Sequence, residues 1–302
     1  MANNTEEGQE LSLPRGQVAI ETTNLKKFRM FTELLLNTSK RYPTMGAATG
    51  GSGVGKSVAI DSFVSNQKPR PYTGLPGIIK VEVKPRSSSK ILAEQIVTAL
   101  GYKPKGSNGP KLSDEAVRAI QSNSIDLLIV DEGDRLNDDS FEVLRDIYDR
   151  ARCPILVVGL PDILRVIEKH EKFLSRVGLR MSFVNLDVEE VLYTVLPQLV
   201  YPKWTFDSKN AADIEMGTQI WDRVKPSLRK LRDLLEIANQ IAEIDDSPRI
   251  TVDIVREASN WAAKRMKNEE NSEIQNKNNQ LGEHEERSEK RNAAKNRRKP
   301  QE

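Results

Sequence analysis

The chain has 302 residues, 37% hydrophobic and 30% charged, and its 46 Lys+Arg nearly balance 44 Asp+Glu for a formal charge of +2. That length allows one large domain or two modest ones, each with ample apolar material for a core. No stretch approaches the ~18 uncharged apolar residues of a membrane helix, and Met1–Glu7 lacks the basic-then-apolar pattern of a secretion signal. A lone Cys153 excludes an internal disulfide framework, and with only His170 and His284 beside it a Cys/His zinc site has almost no basis. The expectation is a cytoplasmic protein with no membrane partner.

The small net charge is a sum of opposing poles. Residues 78–118 hold eight basic and four acidic side chains, whereas residues 131–149 hold eight acidic and two basic. From Lys264 onward there are eleven basic and eight acidic residues. A total near zero therefore does not exclude a nucleic-acid partner.

In chain order, residues 1–20 read as a flexible polar arm. Leu25, Phe28, Phe31, Leu34 and Leu35 recur at helical spacing and predict a helix over 24–41, closed by Pro43. A small-residue strand over 45–49 runs into a glycine-rich loop, and a helix follows over 56–65. The β-rich run Ile78–Val83 precedes a helix over 88–100, a Gly/Pro loop over 101–111 and a helix over 112–122. The apolar strand Ile125–Val130, an acidic helix at 139–151, a second apolar strand at 154–158, a helix at 161–171 and a strand at 181–186 complete the series. Strands alternating with helices define an α/β fold with a parallel sheet covered on both faces, here spanning 21–187. After Asp187 the pattern becomes helical (188–199, 208–224, 227–243 and 251–267), a separate all-helical lid over 188–267, with Trp204, Trp221 and Trp261 as core. Residues 268–302 are a charged tail expected to be disordered.

The sharpest signal is Gly50-Gly51-Ser52-Gly53-Val54-Gly55-Lys56-Ser57. Glycines let successive backbone N–H groups curl around a polyphosphate, a lysine meets the β/γ-phosphates, and the hydroxyl of Ser57 ligates Mg²⁺. About 75 residues later the apolar run ends in Asp131-Glu132, a carboxylate pair at the end of a buried strand. Asp131 there suits Mg²⁺ held through water, and Glu132 suits polarisation of an attacking water. No Asn/Thr-Lys-x-Asp guanine-reading motif occurs, so ATP with Mg²⁺ is the expected pair.

This combination resembles the AAA+ ATPases: a P-loop, an acidic strand end, two further strands and a helical lid. Asp131-Glu132-Gly133-Asp134-Arg135-Leu136, the loop Lys103-Pro104-Lys105-Gly106 through Gly109-Pro110-Lys111-Leu112, and the lid run Lys225-Pro226-Ser227-Leu228-Arg229 are similar to the MuB/TniB/TnsC transposition regulators. The resemblance covers about residues 25–265. It implies a bacterial ATPase that oligomerises on duplex DNA as a ring or filament of about six subunits per turn and recruits a transposase, with a target-selection protein as a further partner. It also implies that Arg176 is an arginine finger reaching a neighbouring subunit's nucleotide, with Arg180 as understudy, and that Arg229 senses the γ-phosphate from the lid. The alternative for Arg176 and Arg180 is a pair of surface ion-pair partners at a helix end. Arg229 reads equally as a solvated charge beside Lys230 and Arg232. Leu160 stands where many relatives place a polar residue that orients water, so either another group serves or hydrolysis is slow and ATP acts mainly as an assembly switch; weak intrinsic ATPase activity is the expectation.

The same resemblance assigns duplex contacts to the basic segment: Lys84, Arg86, Lys90, Lys103, Lys105, Lys111 and Arg118. Lysines on a loop suit phosphates, which give affinity without sequence information. A solubilising face is the competing reading. The acidic run Asp138, Asp139, Glu142, Asp146 and Asp149 reads as a solvated helix face. Two further functional readings stay open at this stage. One is an ATP-gated scaffold or remodeller with no DNA role. The other is an origin-recognition-like initiator, disfavoured because no separate winged-helix domain follows the lid.

Overall fold

In the computed structural model the alternating pattern resolves into a five-stranded, wholly parallel sheet in the order Ile78–Glu82, Leu127–Asp131, Ile155–Gly159, Met45–Thr49, Val177–Ser182. The structure describes residues 19–42 and 44–262. Pro43, the tail from 268 onward and the expected arm, apart from residues 19 and 20, lie outside them.

The first helix, α1 (Thr23–Ser39), is capped by Thr22, whose hydroxyl accepts from the Leu25 N–H. Its face of Leu25, Phe28, Phe31 and Leu35 is buried. β1 (Met45–Thr49) is fully buried, as a central strand of small residues must be to admit helices on both sides. It leads into the glycine loop and α2 (Lys56–Ser65). β2 (Ile78–Glu82), α3 (Ser89–Ala99), α4 (Gly109–Ser122) and β3 (Leu127–Asp131) follow. A 3₁₀ turn at Gly133–Arg135 precedes α5 (Asp138–Ala151) and β4 (Ile155–Gly159). Short α6 (Ile163–Lys169) and α7 (Glu171–Leu174) lead to β5 (Val177–Ser182) at the sheet edge.

The period-two alternation of strand side chains divides the core between the two faces of the sheet. Met45, Ala47, Ile79, Val81, Leu128, Val130, Ile155 and Val157 join the apolar faces of α3, α4 and α5. Ala48, Ile78, Leu127, Ile129, Leu156 and Val158 join α1 and α2 on the other side. Because all strands run parallel, their C-terminal ends share one edge, and the glycine loop and Asp131 both lie there.

Two elements differ from the sequence expectation. Helix α4 begins at Gly109, not 112, because Asn108 accepts from the Lys111 N–H and Pro110 sits in the first turn, where its missing donor costs nothing. β5 begins at Val177, four residues early, so Arg180 lies within a strand beside Ala47 of β1.

The chain divides into two compact units, one of residues up to 199 with 206–230, the other of residues 200–205 and 231 onward. The expected boundary after Asp187 therefore does not coincide with the division. In the first unit, residues 188–198 form a short α8 (Val188–Glu190) followed by π and 3₁₀ turns, and α9 (Ala211–Val224) buries Ile220 and Trp221. α10 (Leu228–Ile244) crosses the division after Lys230. In the second unit the ribbon β6 (Val200–Tyr201) and β7 (Trp204–Thr205) is an addition to the helical pattern. The Lys203 N–H donates to Asn239 Oδ1 of α10 at 3.0 Å, and the Ile250 N–H donates to the Lys203 carbonyl at 3.0 Å. A last helix occupies 252–262. Trp204 and Trp221 are buried, but Trp261 is 58% exposed and is not core.

Candidate functional site

The loop between β1 and α2 is shaped by glycines at left-handed angles, Gly53 at φ 77° and Gly55 at φ 99°. Gly55 is also the N-cap of α2 and supplies no side-chain oxygen to the helix's first N–H groups. Those donors and the positive end of the helix dipole face the loop, the arrangement that suits a polyphosphate. The Lys56 ammonium folds over the same loop and donates to the carbonyls of Gly50 (2.7 Å) and Gly51 (2.8 Å). Burial lowers the Lys56 pKa; the charges of Glu132, Asp131 and Asp134 oppose the shift and Arg229 adds to it. Four residues from three elements are thus within electrostatic reach of one lysine.

Asp131, 2% exposed, ends β3. Its Oδ1 accepts from the Glu132 N–H at 2.9 Å and its Oδ2 lies 3.2 Å from the Lys80 ammonium. Glu132 itself has φ 55°, a left-handed angle uncommon for a residue with a Cβ, on the connection where the chain leaves the sheet. Its carboxylate is 3.5 Å from Arg135, which also donates to the Val83 carbonyl at 3.0 Å.

The lid run meets the loop within the first unit. The Leu228 N–H donates to the Gly53 carbonyl at 3.0 Å, and Ser227 packs so closely that a Cβ on Gly53 would fall 2.2 Å from its hydroxyl. Arg229, exposed at the start of α10, is placed beside the loop by this contact and acts on Lys56 through its charge.

The two candidate finger arginines are engaged within their own chain. Arg176 Nε and Nη2 donate to the two oxygens of Asp149 at 2.9 and 2.8 Å, and its guanidinium lies 5.8 Å from the centroid of the Tyr148 ring. Arg180 is 3.8 Å from Glu168. The geometry given by this single chain is that of ion-pair partners. The acidic face of α5 is largely exposed, as expected, and four of its five carboxylates also lie in surface ion pairs: Asp138 with His170, Glu142 with Arg145, Asp146 with Arg150, and Asp149 with Arg176.

All seven basic residues assigned to duplex contact are exposed. The loop carrying Lys103 and Lys105 is held, since the Lys105 and Gly106 N–H groups donate to the Glu115 carboxylate at 3.0 Å each. Lys111 lies on the first turn of α4, not on the loop. A Cβ at Gly109 would stand 3.5 Å from Ser89 Oγ and 4.0 Å from the Lys90 nitrogen, so the N-termini of α3 and α4 adjoin. Lys90 and Lys111 therefore lie on adjoining first turns, with Lys84 and Arg86 on the segment leading into α3. Two positive helix ends side by side favour an anion. Arg118 lies seven residues farther along α4 than Lys111, about 10 Å of helix rise, outside that cluster.

Sequence reasoning misses Lys80, Asp61, Asp134 and Ser227. Lys80 bonds Asp61 Oδ1 of α2 at 2.7 Å as well as Asp131. Burial works against its charge, but the hydrogen bond to Asp61 and the charges of Asp131 and Asp61 outweigh it and raise its pKa. A lysine at the centre of the apolar run Ile78–Val83 is the signal that was present. Asp134 Oδ1 accepts from the Leu160 N–H at 3.0 Å, bringing a carboxylate to the end of β4 where the Leu160 side chain, 37% exposed, offers none.

Residues 39–167 match the family model of the AAA domain. A curated relative from Staphylococcus aureus, named a potential ATP-binding protein, is 25% identical over 271 residues, 82% of this chain and 97% of its own length. The crystal structure of Cdc6p from Pyrobaculum aerophilum aligns with a TM-score of 0.64 at 14% identity, covering 82% of this chain and 70% of that one. The Aeropyrum pernix ORC1 protein, solved in complex with DNA, aligns with a TM-score of 0.59 at 16% identity, covering 79% of this chain and 65% of that one. The chain has the P-loop AAA+ fold: a parallel five-stranded sheet flanked by helices, followed by a helical C-terminal region.

Proposed function

We propose that this protein is an ATP-dependent, DNA-binding AAA+ ATPase that assembles on duplex DNA and serves transposition by engaging a transposase. The observation that carries the nucleotide reading is the convergence on Lys56 of a left-handed glycine loop, the carboxylates of Asp131, Glu132 and Asp134, and Arg229. The name of the Staphylococcus aureus relative and the AAA-domain match support ATP as the nucleotide.

The hard oxygen donors of Ser57, on the first turn of α2, and of buried Asp131 fit Mg²⁺. Bound with nucleotide, that ion would neutralise phosphate charge. The loop N–H groups and Lys56 bind the polyphosphate, and Glu132 orients the attacking water and accepts its proton. Asp134, fixed on the Leu160 N–H, is the polar group at the end of β4. With Asp134 in that place, the side chain of Leu160 is no longer a reason to expect slow turnover. Arg176 serves as a finger only if a neighbouring subunit displaces it from Asp149.

Support for DNA comes from the exposed basic cluster at the adjoining ends of α3 and α4, and from the ORC1 protein, which shares the fold and was solved with DNA. The MuB/TniB/TnsC-like runs around Asp131 and Lys225 support transposition. An initiator-like role is the second reading, favoured by the alignments to Cdc6p and ORC1. Fluorescence anisotropy of a labelled duplex tests the DNA role. Changing Lys103, Lys105 and Lys111 to Glu should abolish binding while ATP analogues still bind; unchanged DNA binding removes this surface from the account. Pull-down of any transposase encoded near the gene would favour transposition over initiation.

A further inference from the structure

We propose that Lys80 is a resident cation of the nucleotide site, which reduces the dependence of nucleotide binding on Mg²⁺. The proposal rests on reading the glycine loop as an ATP site.

Strand β2 is apolar on either side of Lys80, with Ile79 and Val81 in the core beneath α3 and Ile78 in the core beneath α2. Side-chain alternation places Lys80 on the Ile78 face, toward α2. There its ammonium bridges two carboxylates from different elements, Asp61 Oδ1 at 2.7 Å and Asp131 Oδ2 at 3.2 Å. The other oxygen of Asp131 accepts from the Glu132 N–H at 2.9 Å. Both oxygens of the carboxylate assigned to Mg²⁺ are thus hydrogen-bonded within the chain, one of them to a full positive charge.

The consequence is electrostatic. Asp131, Glu132 and Asp134 crowd the loop that must receive an anionic polyphosphate. Lys80 permanently offsets part of that negative charge, and a divalent ion bound with the nucleotide offsets it again. Two cations that answer the same carboxylate oppose each other, so removing the resident one increases the weight of the other. Without Lys80, nucleotide alone meets greater repulsion while Mg²⁺ meets a more negative site, and both changes widen the gap between metal-free and metal-bound affinity. If the bridge from α2 to β3 were purely structural, its loss would lower the melting temperature and leave that gap unchanged.

The test is the affinity for a fluorescent mant-ATP measured in EDTA and in saturating MgCl₂, using the full chain. In Lys80→Met the ratio of the two dissociation constants should widen about tenfold over wild type, the order expected for one nearby unit charge. Lys80→Arg, which keeps the charge, should retain the wild-type ratio. If Lys80→Met does not fold, Lys80→Gln, which keeps a hydrogen-bond donor without the charge, is expected to shift the ratio in the same direction. A ratio within about twofold of wild type in folded, nucleotide-binding Lys80→Met or Lys80→Gln overturns the proposal alone. Absence of mant-ATP binding by wild-type protein under both conditions overturns the nucleotide reading and the Lys80 proposal with it.

Discussion

Replacing Gly53 by Ala tests the contact between the glycine loop and the start of α10. The backbone at Gly53 has φ 77°, where a Cβ costs about 1 kcal/mol. The new methyl would also stand 2.2 Å from Ser227 Oγ and 3.1 Å from its Cβ. Rotating the hydroxyl away sacrifices its bond from the Lys230 N–H, 3.2 Å long, which caps α10. Strain, crowding and a weakened cap together amount to about 2–3 kcal/mol. For a unit of this size that lowers the melting temperature by roughly 5–10 °C. Ser227→Gly removes the obstructing side chain, and glycine is nearly as good an N-cap, so alone it should cost only a few tenths of a kcal/mol. In the double variant the steric share vanishes, and a double-mutant cycle by thermal or urea unfolding should return a coupling of about 1–2 kcal/mol. Additive effects, or Gly53→Ala melting within about 2 °C of wild type, would refute the packing of Ser227 on the loop.

Further outcomes follow from the site's chemistry. Lys56→Ala should lose mant-ATP binding in a fluorescence titration, by about 100-fold or more, because the loop loses its one mobile point charge. Glu132→Gln should bind ATP at near wild-type affinity and release phosphate at least about 100-fold more slowly; normal turnover would remove Glu132 from the catalytic role. Asp149→Ala should destabilise the protein by about 0.5–1 kcal/mol through loss of a largely exposed bidentate pair with Arg176; urea unfolding reads this directly. Burial pushes the Cys153 thiol up to about 12, so at pH 8 it should resist a thiol reagent in native protein and react once urea unfolds the chain.

The sheet and its helices were largely legible in the sequence because apolar runs of five or six residues bounded by Gly, Pro and Asn carry their own period. The early start of α4 was missed because Gly109-Pro110 reads as a loop in isolation, whereas Asn108 as N-cap makes the same dipeptide a first turn. β5 was misplaced although Val177, Leu179 and Met181 alternate, since an edge strand half-buried on one face carries a weaker apolar signal than a central one. In the site, Lys56, Asp131 and Glu132 were legible because their chemistry is local to short motifs. Lys80, Asp61 and Ser227 were not, because each acquires its role by meeting a residue 19 to 174 positions away. The pairing of Arg176 with Asp149 is of the same kind: 27 residues separate them, and only the packing of α5 beside the start of β5 joins them.

Under the proposed function, nucleotide governs DNA binding. The most direct test is anisotropy of a labelled duplex titrated with wild-type protein, with and without a non-hydrolysable ATP analogue, at several salt concentrations. The account predicts binding that requires the analogue and weakens steeply with salt, each phosphate-contacting lysine contributing about one unit to the slope of log affinity against log salt. Binding of equal strength without nucleotide, or binding insensitive to salt, would contradict it.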